Sequence, residues 1–325
     1  MDELSELRAR RMIAQGLAFS AAHPAGLSDP ATVARHLLAL QGQSYPGGIR
    51  AIGLRCGKSD EDVLQAVADY EIVRGWPQRG TLHFMPAEDV RWMMRLCFPR
   101  IERAQSRRWP LIGLTEDLVD AARTELYGAL LERGHSDPLP RSSIYQVLRE
   151  SGVDPGDNRG AHLMRYFGSQ GDLIQGPKVG AQESFLHVDR LPTRQREFSG
   201  DEALAELGTR YFRSHGPASI KDLAWWSGLK MAQVRQAASL AEEVCSFEVS
   251  GQTYWMAKWQ EDVTEAELQD AIDRQFTLPA FDEILLGYGD KSLILADEHR
   301  PSVLTKNGLS WAFTVSGGKV TGGAK

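Results

Sequence analysis

The chain has 325 residues, enough for two or three domains or several small modules. With 42% hydrophobic and 25% charged residues it reads as a soluble globular protein, and its formal charge of −6 excludes a global basic field that would coat nucleic acid indiscriminately. A local basic groove stays open. Cys56, Cys97 and Cys245 are far apart and form no metal-type pair, so a reducing cytoplasm without structural zinc is expected. The acidic start Met1-Asp2-Glu3-Leu4 leads into no long apolar stretch, so neither a signal peptide nor a membrane span is expected.

The N-terminal third predicts helices near 4–20, 30–41 and 60–72, with Gly80-Thr81-Leu82-His83-Phe84 as a strand. Gln41-Gly42-Gln43 closes the apolar run Val33–Leu40, just before the turn-prone Ser44-Tyr45-Pro46-Gly47-Gly48. Two carboxamides two residues apart at an element's end can both aim into one cleft. A carboxamide cannot act as a general base, but it can accept a hydrogen bond and hold a water. That suffices only when the leaving group is already activated. The plain reading of the triplet is a polar helix C-terminus.

Ala87–Trp109 reads as a helix that carries Arg91, Arg95, Arg100, Arg103, Arg107 and Arg108, and between Arg91 and Arg108 they face the one acid Glu102. The guanidinium fork suits phosphate because it donates two hydrogen bonds at once. The competing reading is a solvated helix face. Over 117–189 the pattern gives helices Asp117–Arg133, Arg141–Ser151 and Asn158–Gly168. A hairpin follows, Leu173-Ile174-Gln175 and Ser184–Val188, with Lys178 in its loop.

The cleanest module lies at 200–257. Helix Asp201–Ser214 breaks at Gly216-Pro217, and Ser219 caps Ile220–Trp226 with Asp222 as a capping-box partner. Helix Lys230–Leu240 and strands Val244–Val249 and Thr253–Ala257 complete the order of a winged helix-turn-helix. The segments 117–189 and the N-terminal third read as weaker copies. The stretch 264–325 begins with a helix and turns β-rich, and it stops after a hairpin, short of an expected last strand. The expected class is therefore mainly α with small β-sheets, in parts 1–115, 116–195, 196–260 and 261–325. Asp282-Glu283 is the best alternative for a catalytic carboxylate, but neighbours on a strand face opposite sides and cannot both serve one site. Trp225 and Trp226 read as core, at least one of them. No phosphate loop of the GxxxxGK type, dinucleotide fingerprint, GxSxG elbow or HExxH helix occurs.

Taken together, several segments resemble the winged-helix DNA glycosylases of the AlkZ/YcaQ type, which unhook interstrand crosslinks and excise bulky alkylated bases. They are Leu7-Arg8-Ala9-Arg10-Arg11, Gln41-Gly42-Gln43, Trp76-Pro77-Gln78-Arg79-Gly80-Thr81-Leu82-His83, Tyr211–Ala218, Trp226-Ser227-Gly228-Leu229, Leu278-Pro279-Ala280-Phe281-Asp282-Glu283, Gly287-Tyr288 and Asn307-Gly308. The resemblance implies three tandem winged helices plus a β-rich C-terminal part, curved around a concave DNA-facing side. It makes Gln41 and Gln43 the catalytic pair, matching the family's Gln-x-Gln form. Gly42 replaces the usual small or aliphatic residue, and Gly289-Asp290-Lys291 replaces a more basic run. Trp76, Thr81, His83 and Asp282 become candidates for the lesion pocket. Arg95, Arg103, Arg107, Arg108 and Lys178 become candidates for the DNA backbone. Gln43 would orient the attacking water, and Gln41 would hold the water's other side or the lesion's sugar. No cofactor or metal is implied. The implied partner is double-stranded DNA, the implied state a cytoplasmic monomer without membrane contact, nucleoid-associated when bound. The alternatives are a non-catalytic winged-helix DNA-binding or regulatory protein and a truncated remnant.

Overall fold

Local capping chemistry fixes most helix starts. In the computed structural model, which describes residues 1–24, 26–305 and 307–324, Asp2, Asp29, Ser44, Thr115, Ser219 and Thr264 each accept a backbone N–H two or three residues into a helix. The Ser219/Asp222 capping box is present, with Ser219 Oγ 3.2 Å from the Asp222 amide and Asp222 Oδ2 3.0 Å from the Ser219 amide. The fold is mainly helical with small antiparallel sheets. Among the described residues no helix is long and apolar enough to cross a membrane.

The chain divides into two compact units, Met1–Val63 with Ser199–Lys325, and Leu64–Phe198. In the first, helix Glu3–Ala14 packs on helix Glu265–Asp273 and on the sheet of Lys319–Gly323, Phe313–Ser316 and Gln275–Leu278. Met12, Ile13, Leu268, Leu285, Leu295, Val303 and Phe313 fill this core. The element order expected over 200–257 is found: Gly200–His215, Ile220–Ser227 and Met231–Leu240, then Val244–Val249 paired with Gln252–Ala257. The hairpin turns through Ser250 and Gly251, both at positive φ, the geometry whose twist matches paired strands.

Two expectations near the triplet fail. The helix expected near 30–41 is Pro30–Leu37; it stops because Leu38 takes φ 64°, and Leu40–Gln41 is extended. The turn expected at Ser44–Gly48 is instead the first turn of helix Tyr45–Cys56. Proline costs nothing where no intrahelical N–H is required, and Ser44 Oγ takes the Gly47 amide at 3.1 Å. A side chain at Gly47 would lie 2.9 Å from the Ala280 carbonyl oxygen, so glycine lets this turn sit against the loop before Asp282.

In the second unit five strands pair in the order His83–Pro86, Ile72–Gly75, Leu173–Gln175, Ser184–His187, Leu139–Pro140, all antiparallel. The two hairpins join at Arg74 opposite Gln175, where Arg74 Nη1 also donates to Gln175 Oε1 at 2.7 Å. Helices Val90–Ser106, Glu116–Leu131, Arg141–Glu150 and Arg159–Ser169 surround a core of Trp76, Leu126, Ile144, Leu163, Phe167 and Phe185. The strand expected at Gly80–Phe84 begins later, at His83, because Arg79 and Gly80 both sit at positive φ and form a turn.

Candidate active site

The Gln-x-Gln segment is held from inside. Gln41 is buried and Gln43 exposed, at the mouth of the turn that starts helix Tyr45–Cys56. The Gln41 side chain folds back on its own backbone: its Oε1 accepts the amides of Gly42 at 3.1 Å and Gln43 at 3.2 Å. The Gln41 amide donates to Glu283 Oε2 at 3.1 Å. The other oxygen of Glu283 receives Trp226 Nε1 at 2.7 Å and lies 3.2 Å from His215 Nε2. His215 is stacked on Tyr211 at 4.6 Å between centroids, and its Nδ1 faces Ser214 Oγ at 2.8 Å.

Asp282 begins a parallel network one residue earlier. Its two oxygens each accept a guanidinium nitrogen of Arg55 at 2.9 Å, both side chains being wholly enclosed, and Oδ1 also caps Ile284. Arg55 goes on to Gln15 Oε1 at 3.0 Å, Gln15 to Tyr288 Oη at 3.1 Å, and Tyr288 to the His215 carbonyl at 2.8 Å. Burial presses the Arg55 guanidinium toward losing its proton, but the adjoining Asp282 charge outweighs it and Arg55 stays more basic than usual. Burial also raises the Tyr211 and Tyr288 phenols.

The expected lesion-pocket residues are placed as follows. Asp282 lies in the first unit, committed to Arg55. Trp76, Thr81 and His83 belong to the second. Trp76 is a core residue resting on Gly168, where a side chain would come 2.2 Å from the indole. Thr81 Oγ1 donates to the Gln78 carbonyl at 3.2 Å, and buried His83 donates through Nδ1 to the Thr81 carbonyl at 2.8 Å. The structure thus brings Gln41 and Gln43 together with Glu283, a residue sequence reasoning did not place there.

The opposite-faces argument for Asp282-Glu283 holds only for an extended pair, and this pair is not extended. Glu283 is in fact the first residue of helix Glu283–Leu286, with Asp282 as N-cap, so the two carboxylates need not oppose each other. The signal was present: an aspartate directly before Glu283-Ile284-Leu285-Leu286 is a helix start.

Residues 34–325 match the profile of the DNA glycosylase AlkZ-like family. The chain belongs to the AlkZ-like DNA glycosylase family. An interstrand DNA cross-link repair glycosylase of Streptomyces sahachiroi is 24% identical over 310 residues, covering 89% of this chain and 80% of that protein. The solved structure of DNA glycosylase AlkZ from the same organism superposes with a TM-score of 0.77 at 21% identity, covering 98% of this chain and 86% of that one. That second likeness speaks to the fold.

In this AlkZ-like chain the arginine-rich helix is Val90–Ser106, preceded by a short 3-10 turn. Arg95, Arg103, Arg107 and Arg108 are exposed, as is Lys178 in the loop between Leu173–Gln175 and Ser184–His187. Arg91 is taken up by Asp189. Among the described residues no group of His, Cys, Asp and Glu has the makings of a metal site.

Proposed function

We propose that this protein is a DNA repair glycosylase that hydrolyses the N-glycosidic bond of N7-alkylated or interstrand-crosslinked purines in double-stranded DNA, with Gln43 orienting the water. The observation that carries the reading is the fixed presentation of the triplet: the Gln41 side chain ties down the Gly42 and Gln43 amides, Glu283 ties down Gln41, and Gln43 faces solvent. Family membership supports DNA as the substrate.

The chemistry suits an amide. An N7-alkylated purine carries positive charge and leaves as a neutral base, so no proton need be supplied. The bond between N9 and C1′ breaks, water oxygen bonds to C1′, and the water's proton passes to solvent. Gln43 Oε1 accepts a hydrogen bond from the water and aims its oxygen lone pair. Orientation of this kind contributes several kcal/mol by removing the entropic cost of bringing water to carbon. The partial negative charge of the amide oxygen favours the oxocarbenium-like sugar. The Gln41 oxygen expected to hold the water or the lesion's sugar is taken up by the Gly42 and Gln43 amides, so Gln41 acts instead by placing Gln43. The reaction ends at an intact abasic site, which is what monofunctional means here. The acting species is a monomer.

The test is release of base from duplex carrying N7-methylguanine or a nitrogen-mustard crosslink, read as alkali-labile abasic sites. Gln43→Ala should slow excision about 100-fold, the cost of losing a positioned reactant. A fall of no more than about twofold would remove Gln43 from the mechanism. Duplex binding with no release in the parent protein would select the non-catalytic, regulatory alternative.

A further inference from the structure

In the second unit the charges of Arg165 and Arg108 oppose each other, and among the described residues neither has a carboxylate partner. Arg165 projects from helix Arg159–Ser169, and Arg108 lies just beyond helix Val90–Ser106. The helices pack through Phe98, Trp109 and Tyr166, with centroid distances of 5.6 and 5.1 Å. Arg165 is half-buried and sits on the backbone of the Arg79-Gly80 turn. A side chain at Gly80 would come 2.7 Å from its Nε and Nη2, and Nη2 donates to the Arg79 carbonyl at 3.3 Å. The positive φ of 64° at Gly80 favours glycine there, and the guanidinium rests in the space its missing side chain leaves. The buried Arg165 Nε has no hydrogen-bond partner among the described residues.

Charge points the same way. Burial first, then the charge of Arg108, disfavour the protonated form of Arg165. Burial, Arg108 and Arg165 likewise hold His162 below its ordinary value. A half-buried guanidinium with one orphaned donor, opposed by a second positive charge, gains from an anion that satisfies the donor and offsets the charge. Arg108 is exposed, so an anion has access.

We propose that Arg165 and Arg108 form a phosphodiester-binding site that grips one backbone phosphate of duplex DNA. The assignment rests on DNA being the substrate but concerns grip alone. Arg165 supplies a preset planar fork, and Arg108 closes on the phosphate from the solvent side.

The test uses the full chain, undamaged duplex and fluorescence anisotropy across a sodium chloride series. Arg165→Gln should weaken binding about tenfold, as expected for a lost charge-assisted contact. It should also flatten the plot of log affinity against log salt by about 0.9, the increment for one phosphate. Arg165→Lys should recover the slope and not the full affinity, because the charge returns without the fork. Tm should hold or rise in Arg165→Gln, since an uncompensated cation has been removed; a clear fall would mark a structural arginine and overturn the proposal. An unchanged slope and affinity would also overturn it. So would displacement of duplex by low-millimolar inorganic phosphate that Arg165→Gln abolishes, the mark of a free-phosphate site. Base release with an unaltered Arg165→Gln slope sinks the grip alone; the predicted slope without any base release sinks the glycosylase reading alone.

Discussion

Asp282 and Glu283 are adjacent acids with separate duties. Asp282 has its whole charge met by Arg55 inside the unit. Removing one partner of a buried ion pair leaves the other uncompensated and costs about 3–5 kcal/mol. Asp282→Asn should therefore lower the urea midpoint sharply. Glu283 instead receives the Gln41 amide and the Trp226 indole on different oxygens. A glutamine there must turn its NH2 group toward one of these donors, leaving a buried donor unmet at about 1–3 kcal/mol. The strain is felt at the backbone of Gln41, so Glu283→Gln should lower kcat for base release about tenfold or more while leaving duplex affinity in place. Equal kcat in Glu283→Gln and parent, at equal folded fraction, would separate Glu283 from the reaction. A loss of duplex affinity with kcat kept would do the same.

Helix Gly200–His215 packs closely on helix Met231–Leu240, with the backbones near each other at Gly208. A Cβ on Gly208 would stand 2.4 Å from the Ala237 carbonyl oxygen and 2.8 Å from its carbon, both backbone atoms that cannot rotate away. Alanine gains about 1 kcal/mol of helix propensity over glycine. Forcing the helices apart costs about 1–3 kcal/mol, and here the obstacle is rigid, so the cost wins. Gly208→Ala should lower Tm; a rise would mean that the helices separate freely. The elements themselves were largely legible, for a reason visible in the same module. Ser219 with Asp222, and the Ser250-Gly251 turn, act over two or three residues, and the sequence there states its own geometry. Misreadings fell where two local signals conflicted. Pro46-Gly47-Gly48 suggested a turn, while Ser44 ahead of a proline also starts a helix, and the cap prevailed. Of the candidate site, the Gln41 and Gln43 pair was legible as a motif. Its attachment to Glu283, Trp226 and His215 was not, because contacts across 242 residues leave no periodic trace.

The first unit is closed by parts of the chain that lie far apart. Arg11 donates to the Pro217 carbonyl, Arg55 to Asp282 and Gln41 to Glu283, so Met1–Val63 is completed only by Ser199–Lys325. Loop-closure entropy must be met before these contacts return anything, so these polar junctions add to what the apolar core of the unit supplies. His36 is one of them. Its Nε2 lies 2.6 Å from the Ala14 carbonyl, and its ring is 4.8 Å from that of His23. Burial first, then His23, His215 and Arg210, lower its pKa to about 3, against a hydrogen bond to Ala14 that favours the proton. The sign follows. Unfolded, the imidazole takes a proton near pH 6.5; folded, it refuses one until about pH 3. The unfolded state thus binds more protons throughout that window. Stability is full above pH 6.5 and falls on acidification, by at most about 1.4 kcal/mol per pH unit from this group. Urea midpoints at pH 7.5 and 5.5 should differ more in the parent protein than in His36→Gln, which has nothing to titrate there. If the two differences are equal, His36 does not hold this junction in its neutral form, and the acid sensitivity of the unit originates elsewhere.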